Sequence, residues 1–199
     1  MASARVAAQR RAANARHRGV ESYNYFLSVI FPHDQMQILD YNRVVRDLHG
    51  LSAETFLERV AEAFAVEVSG NPVRPASSGE FGMYLAGKWY RLRIAVERIP
   101  ADDPVARLDV SLLQDNLIRP LLGIDDPRRD ERIDFVGGIR GLAELEKRVD
   151  GGDWTVAFSL FPTTMEALMA VADAGEVMPP KSTWFEPKLA DGLVTHVLD

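Results

Sequence analysis

The sequence predicts a fold between the α/β and α+β classes: a mixed β-sheet with antiparallel hairpins, a C-terminal βαβα run, and helices packed on the sheet. Two patterns support this prediction. Apolar segments at 81–85 and 89–96 flank a short turn that contains Gly87, which is typical of a hairpin. From residue 133 to residue 175, strand and helix candidates alternate, and this order favours locally parallel pairing.

The first part of the chain combines a basic helix with a predicted hairpin. Residues 2–16 are rich in Ala and Arg, which favour helix, and Gly19 supplies a stop. Aromatic and β-branched residues over 23–31, ending at Pro32, indicate a buried strand. Residues 36–41 form a shorter strand that we expect to pair with it.

The middle of the chain predicts two helices separated by a loop and the hairpin. Ser52 caps a helix that runs to about residue 65, and the apolar residues of this helix form one stripe. Residues 69–79 hold two prolines and two glycines among small polar residues, so we expect a flexible loop or lid. Pro104 begins a leucine-rich helix that runs to Arg119.

The C-terminal part supplies the alternating run. Its elements, in order, are a strand at 133–136, a helix at 139–149, a strand at 154–161, a helix from its cap Thr163 to Ala174, and a last strand at 195–198. Gly175 closes the second helix, since glycine readily adopts the left-handed conformation at helix ends. We expect residues 1–199 to form a single domain.

Composition and charge limit the classes of function. The net charge is −6, but residues 1–20 carry five arginines and no acid, so residues 21–199 carry −11. A body this acidic disfavours nucleic-acid binding. No apolar run approaches the roughly 18 residues of a membrane span. The absence of cysteine excludes thiolate chemistry and disulfides, and it suits a cytoplasmic protein.

The basic, acid-free start allows two interpretations. Its composition is that of a mitochondrial transit peptide, but its arginines lie on several faces of an Ala-rich segment. The second interpretation, an ordinary helix over 1–18 from which the preceding chain has been removed, fits better.

A proline-rich stretch, Met178–Leu189, predicts a shaped loop that presents one ammonium and two hydroxyl groups. Three prolines restrict the backbone around Lys181-Ser182-Thr183, so little conformational freedom is lost when a ligand binds. The structural alternative is that Trp184 and Phe185 fill the core and that Lys181 is simply solvated.

Gly137-Gly138, between a strand and a helix, is a second candidate for anion binding. Glycines let a ligand approach the backbone, helix-start amides attract anions, and Arg140 could add a charge-assisted bond. The spacing matches neither the Walker loop nor the dinucleotide fingerprint. A tight turn without a ligand explains the same residues.

The end of a predicted strand, Asp40-Tyr41-Asn42-Arg43, carries further polar groups. Arg43 together with Arg46 could bind a carboxylate or phosphate. The alternative use of Asp40 and Asn42 is turn formation and helix capping. The histidines lie far apart in the sequence, so no metal site is predicted.

Three segments carry a resemblance to a known family: Leu39–Arg43, Ile133–Gly138 and Met178–Val194. Together they resemble the bacterial and archaeal domain of unknown function family 1015, over nearly the whole chain. Members of that family are longer than this chain, so the resemblance implies that this is a C-terminal portion.

The resemblance also implies a chemistry. In the family, an Ala-Asp-Gly-His-His-Arg motif precedes the helix that residues 1–18 would continue, and this sequence lacks that motif. The motif is similar to the phosphate-handling motif of the ParB and sulfiredoxin superfamily, which includes free-serine kinases, and family members tend to lie near serine-biosynthesis genes. The resemblance thus implies that the full-length protein would be a nucleotide-dependent phosphotransferase that uses ATP or ADP with Mg²⁺. This chain alone would be inactive.

We therefore predict a pocket for a phosphorylated small metabolite or nucleotide. Its expected residues are Arg43, Gly137, Gly138, Arg140, Lys181, Ser182 and Thr183. The alternative is a non-catalytic interaction module or homodimer, with Trp184 and Phe185 as contact anchors and the helix at 105–119 as a partner face. A purely structural half of a larger protein is a third interpretation.

Overall fold

Two β-sheets and six α-helices form most of the regular structure of the described residues. The computed structural model describes residues 2–30, 32–188 and 192–197. The helices are α1 (Ala2–Ala13), α2 (Ala53–Val60), α3 (Asp109–Leu113), α4 (Arg119–Leu122), α5 (Ala143–Asp150) and α6 (Met165–Asp173). The strands are β1 (Gln37–Leu39), β2 (Tyr41–Val45), β3 (Phe64–Ser69), β4 (Glu80–Leu85), β5 (Lys88–Ile94), β6 (Ile133–Gly137), β7 (Val156–Leu160) and β8 (Trp184–Glu186). Within these ranges, no helix has the length and apolar content needed to cross a membrane.

The larger sheet has the strand order β3-β5-β4-β7-β2-β6, and β1 pairs with β8 in a second, two-stranded sheet. The predicted fold class is confirmed as α+β, with the hairpin β4–β5 and the run β6-α5-β7-α6 in place. The locally parallel pairing expected for that run is wrong. Strands β6 and β7 point the same way, but β2 lies between them and pairs antiparallel with both, so each pairing among the described strands is antiparallel.

The larger core lies on one face of the six-stranded sheet. Strand side chains alternate between faces, so Phe158 belongs to the larger cluster and its neighbour Ala157 to the smaller one. Helices α2, α3, α4 and α6 contribute to the larger cluster, which includes Phe56 and Leu113. Helix α5 contributes Leu145 to the smaller cluster on the opposite face.

The chain divides into two compact units. Residues Gln37–Glu186 hold both sheets and both core clusters; the other unit contains Met1–Met36 and Pro187–Asp199. In the second unit, the phenol of Tyr23 contacts His17 Nδ1 at 2.9 Å, and Asn14 Nδ2 donates to it at 3.0 Å. The helix predicted over 2–16 is confirmed as α1, which ends three residues earlier.

The strand predicted over 23–31, and its hairpin with 36–41, are wrong in the described residues. A 3-10 turn occupies Ser22–Asn24, and residues 25–30 have no regular structure, while Phe31 lies outside the described residues. Residues 37–39 of the predicted strand form β1, but β1 pairs with β8. In this pairing Leu39 lies opposite Trp184, which is 145 positions later in the sequence. The residue pattern indicated extended backbone without indicating the partner.

Several helix boundaries also differ from the predictions. The cap at Ser52 is confirmed, since its side chain accepts from the Thr55 amide, but α2 ends at Val60 because Phe64 already begins β3. A π-helical turn, Gln114–Ile118, joins α3 to α4 and carries the helix past Pro120, where we expected it to stop.

Two further differences concern the C-terminal part. The cap of α6 is Thr164, whose side chain accepts from the Ala167 amide, and not Thr163. Gly175 has the expected positive φ, of 72°. The described part of the predicted last strand, 195–197, has no regular structure, and residue 198 lies outside the described residues.

Candidate ligand-binding site

One end of the six-stranded sheet brings several of the predicted site residues together. Strand β2 begins there and β6 ends there, so Tyr41 pairs with Gly137 and Arg43 with Phe135. The end of β7 and the start of β4 lie at the same level. The proline-rich loop joins them, because Arg43 Nη2 donates to the Lys181 carbonyl at 3.1 Å.

Arg43 is a buried cation without a carboxylate partner in the described residues. Its side chain lies on the Phe135 ring, 5.0 Å from the centroid, and the residue is 4% exposed. Two of its five N–H groups donate to the carbonyls of Tyr41 and Lys181. Loss of hydration on burial lowers the pKa of Arg43 to about 10, so the guanidinium is still charged at neutral pH.

Arg43 lines a cavity of about 550 Å³. The loop at 177–180 and the helix α3 with its π-helical turn form other parts of its wall. Its charged residues are three arginines and three aspartates: Arg43, Arg119, Arg128, Asp115, Asp125 and Asp126. The three positive and three negative charges of the lining therefore balance, but the three arginines differ in whether they pair with an aspartate.

The two other arginines of this cavity each have an acidic partner. Arg119 lies 2.7 Å from Asp115 and 3.9 Å from Asp125. Arg128 lies 2.9 Å from Asp126. The side chains of Arg119 and Arg128 are both more than half exposed, whereas Arg43 is buried. The unpaired positive charge of the cavity therefore lies at its buried guanidinium.

In the proline-rich loop, Lys181 and Ser182 have different surroundings. Lys181 has a φ of 56°, in the left-handed region, and its exposed Nζ lies 3.4 Å from the Tyr41 hydroxyl. Ser182 is buried; its hydroxyl donates to the Pro179 carbonyl at 2.7 Å, and its own carbonyl accepts from Thr163. Thr183 is half-buried. Ser182 thus holds the loop, while the Lys181 ammonium remains accessible.

Gly137 and Gly138 adjoin the same region, but protein atoms occupy the space beside them. A Cβ at Gly137 would lie 2.5 Å from a ring carbon of Trp184, and one at Gly138 would overlap the Asp40 carboxylate. The Gly138 amide donates to the Asp40 carbonyl at 2.8 Å. These glycines allow close packing of Trp184 and Asp40 against the turn.

Two arginines named by the sequence lie elsewhere. Arg140 is more than half exposed, pairs with Glu144 at 3.7 Å, and does not line the cavity. Arg46 lies over the Trp154 ring at 4.5 Å. Arg43 is therefore the one of these three arginines that the fold brings to the cavity.

Sequence reasoning missed the aromatic surroundings of Arg43 and Lys181. The Tyr41 ring lies 5.9 Å from that of Phe135 and 5.5 Å from that of Trp184, in edge-to-face arrangements. Three chain segments supply these rings, and no local pattern indicates that they meet. Trp184 is half-buried and belongs to neither core cluster, so the structural alternative, in which this residue fills the core, stays a prediction.

Asn42 and Asp40 have an internal role that differs from turn formation or helix capping. Asn42 is fully buried in β2, and its Nδ2 donates to Asp40 Oδ2 at 2.6 Å. Its Oδ1 accepts from the Leu160 amide at 3.0 Å. This pair fixes the end of β7 against the start of β2.

Comparison with known proteins finds a family model and several solved structures. Residues 1–111 match the family described as "Protein of unknown function (DUF1015)". This range includes Leu39–Arg43 and stops before the two other segments that carried the resemblance, so the match covers the N-terminal part of this chain. No curated protein matches the chain.

Three of the matching solved structures align with similar fractions of this chain. A free serine kinase in complex with AMP is 17% identical, with a TM-score of 0.45, over 76% of this chain and 54% of that chain. A variant of the free serine kinase in complex with ADP is 20% identical, with a TM-score of 0.44, over 79% and 58%. A conserved hypothetical protein from Pyrococcus furiosus is 18% identical, with a TM-score of 0.45, over 76% and 56%. The chain thus spans just over half the length of these proteins.

Proposed function

The chain belongs to the DUF1015 family of proteins of unknown function, and we propose that it provides a binding site for a phosphorylated small metabolite or nucleotide. The observation that carries this proposal is the buried guanidinium of Arg43, which lines a cavity of about 550 Å³ and has no carboxylate partner in the described part of the chain.

Burial makes an anion favourable at this position. Removing a cation from water without a partner of opposite charge is costly, and a phosphate at Arg43 would offset that cost. Three N–H groups of Arg43 donate to no described residue, so they are available to phosphate oxygens. The cavity volume lies within the roughly 300–1,000 Å³ common for small-molecule sites.

Lys181 is the second cation in this proposal. The hydrogen bond from Arg43 to its carbonyl couples the two residues, and its exposed ammonium can turn from Tyr41 toward a bound anion. Thr183, whose hydroxyl bonds to no described residue, is a further candidate donor. We assign Gly137, Gly138 and Ser182 to shaping the site, since their neighbours already occupy their polar groups or adjoining space.

We further propose that phosphoryl transfer would need a general base other than Arg43 and Lys181, since the three aspartates of the cavity wall already pair with arginines. Arg43 and Lys181 can neutralise phosphate charge, but the guanidinium of Arg43 remains charged at neutral pH and cannot act as the base. The Asp-Gly-His-His-Arg motif, the family candidate for that role, does not occur in residues 1–199. This chain would therefore bind the ligand without turnover.

The rival interpretation, an interaction or dimerisation module, is less well supported, because most of the residues that it names contact other parts of the chain, while Phe185 is half-buried. Trp184 packs on Gly137, and the leucines of the 105–119 segment are buried, with Leu112, Leu113 and Leu117 at most 2% exposed. Side chains already engaged within the chain are not available as anchors for a partner.

The test is a thermal-shift titration of the whole chain with phosphate, ADP, ATP and phosphoserine, each with and without Mg²⁺. A ligand that binds the folded state raises the melting temperature with the logarithm of its concentration. We expect at least one phosphorylated compound to do so, with an affinity at least tenfold weaker in Arg43→Lys, which keeps the charge and loses the planar fork.

Two lysine variants complete the design. Lys181→Ala should also weaken binding. The control Lys88→Ala, at another exposed lysine in the hairpin at the opposite end of the sheet, should not. The proposal fails if none of the phosphorylated compounds stabilises the unmodified chain. It also fails if Arg43→Lys and Lys181→Ala are each stabilised as much as the unmodified chain.

A further inference from the structure

A second cavity, of about 330 Å³, lies at the N-terminal end of α6 and contains a buried carboxylate. Leu108, Phe161 and Ala167 contribute apolar parts of its wall. Asp109, which also lines it, is 9% exposed. An apolar wall with few polar groups is typical of small-molecule pockets.

The hydrogen bonds of Asp109 leave one carboxylate oxygen for a ligand. Oδ1 accepts from the Ser78 hydroxyl and from the Gly79 amide, both at 2.8 Å. Oδ2 accepts from no described residue. No buried side-chain polar atom of the described residues lacks a partner, so Oδ2 keeps some contact with solvent, and Asp109 itself forms part of the cavity wall.

The hydroxyl groups of the wall are already in use. Ser78 donates to Asp109, and Thr163 donates to the Ser182 carbonyl at 2.9 Å. Thr164 accepts from the Ala167 amide as the cap of α6. In the buried part of the wall the open group is therefore an acceptor, Asp109 Oδ2, and a ligand that binds there must supply the donor; the Arg107 guanidinium, a donor, lies in the exposed part.

The charges around the cavity favour a cationic donor. Arg107 and Glu166 are the other charged residues of its lining, and both are exposed, so solvent and salt screen their charges more than the charge of buried Asp109. Burial raises the pKa of Asp109 to about 6, although the bonds from Gly79 and Ser78 oppose this. At neutral pH the group is thus a poorly hydrated carboxylate, which gains from a charge-assisted hydrogen bond.

We propose that this cavity binds the ammonium group of a small alkyl amine, with an N–H donating to Asp109 Oδ2 and the alkyl part lying against Leu108 and Phe161. This site is separate from the Arg43 cavity and prefers ligands of the opposite charge. Its existence does not depend on phosphate binding at Arg43.

The test is a titration with n-butylammonium chloride at pH 7.5, followed by two-dimensional amide NMR. The Gly79 resonance is the reporter, because its N–H donates to Asp109. We expect a saturable shift of this resonance. Butanol and butyrate, the neutral and anionic compounds of the same length, should bind at least tenfold more weakly.

Three variants identify the group responsible. Asp109→Asn, which keeps the shape, should weaken n-butylammonium binding at least tenfold, and Ala170→Leu should do so by filling the cavity while leaving the carboxylate in place. Asp173→Asn, the same substitution at an exposed carboxylate of α6 that does not line the cavity, should keep the affinity within about twofold. The proposal is overturned if no saturable shift occurs, if butyrate binds as tightly as n-butylammonium, or if neither Asp109→Asn nor Ala170→Leu changes the affinity.

Discussion

Ionisation of Asp109 makes the stability of the folded chain depend on pH. Its pKa is raised by burial from the ordinary 3.8 to about 6, so between these values the folded state retains a proton that the unfolded state has lost. Stability from this group is therefore present at low pH and decreases as pH rises through the window, with roughly 2–3 kcal/mol at stake by the size of the shift.

Replacing this residue should remove that dependence. We expect the difference in unfolding free energy between Asp109→Asn and the unmodified chain to move in favour of the variant from pH 4.5 to pH 7.5, measured by urea denaturation. The comparison isolates one group, because carboxylates such as Asp126, whose pKa is lowered mainly by the Arg128 hydrogen bond, are common to both proteins. If the unfolding free energies of the two proteins differ by the same amount at pH 4.5 and pH 7.5, burial does not raise the pKa of Asp109.

Single-residue chemistry was partly predictable. Arg43 and Lys181 were named from their residue types and their positions beside a strand end and among prolines, and the fold brings them together. Asp109 was not named, because its environment depends on Ser78 and Gly79, thirty or more positions away. Local sequence shows which groups are ionisable, but burial determines their pKa.

The turn between β6 and α5 was predictable only in part, because the sequence did not show which side chains pack against its glycines. The Gly137-Gly138 pair was correctly placed between a strand and a helical segment, and the 3-10 turn Gly138–Arg140 now precedes α5. We expect Gly138→Ala to destabilise the chain by about 1–3 kcal/mol, because the added methyl would overlap the Asp40 carboxylate.

Gly70→Ala is the matched control for this substitution. No heavy atom lies within 4 Å of a Cβ built at Gly70, and its φ is not in the positive range. Chemical denaturation should therefore show a change within about 0.5 kcal/mol. A similar small effect for Gly138→Ala would indicate that Asp40 can move away from the turn.

Strand existence was easier to predict than strand partnership. The hairpin β4–β5 was predicted because its partners are adjacent in sequence and a glycine-containing turn joins them. The pairing of β1 with β8, and the insertion of β2 between β6 and β7, join segments that are distant in sequence. Short-range patterns contain no information about such partners.

The division of the chain into two compact units can be tested with a fragment that contains one of them. Both core clusters lie within Gln37–Glu186, and β1 and β8, at the two ends of this range, pair with each other. We expect a fragment of residues 37–186 to unfold in one cooperative transition, measured by circular dichroism. Broad, non-cooperative melting of the fragment would instead favour the single domain of 1–199 that the sequence predicts.

Residue order was sufficient to predict the α+β class, the βαβα order and two cationic residues, Arg43 and Lys181, that the fold brings together, because periodicity, turn residues and charge are local properties. The arrangement of the sheet, the burial of the Arg43 guanidinium and the raised pKa of Asp109 were not predictable in this way. They arise when distant segments pack together and exclude water, and this long-range packing sets hydrogen-bond partners and the cost of each charge.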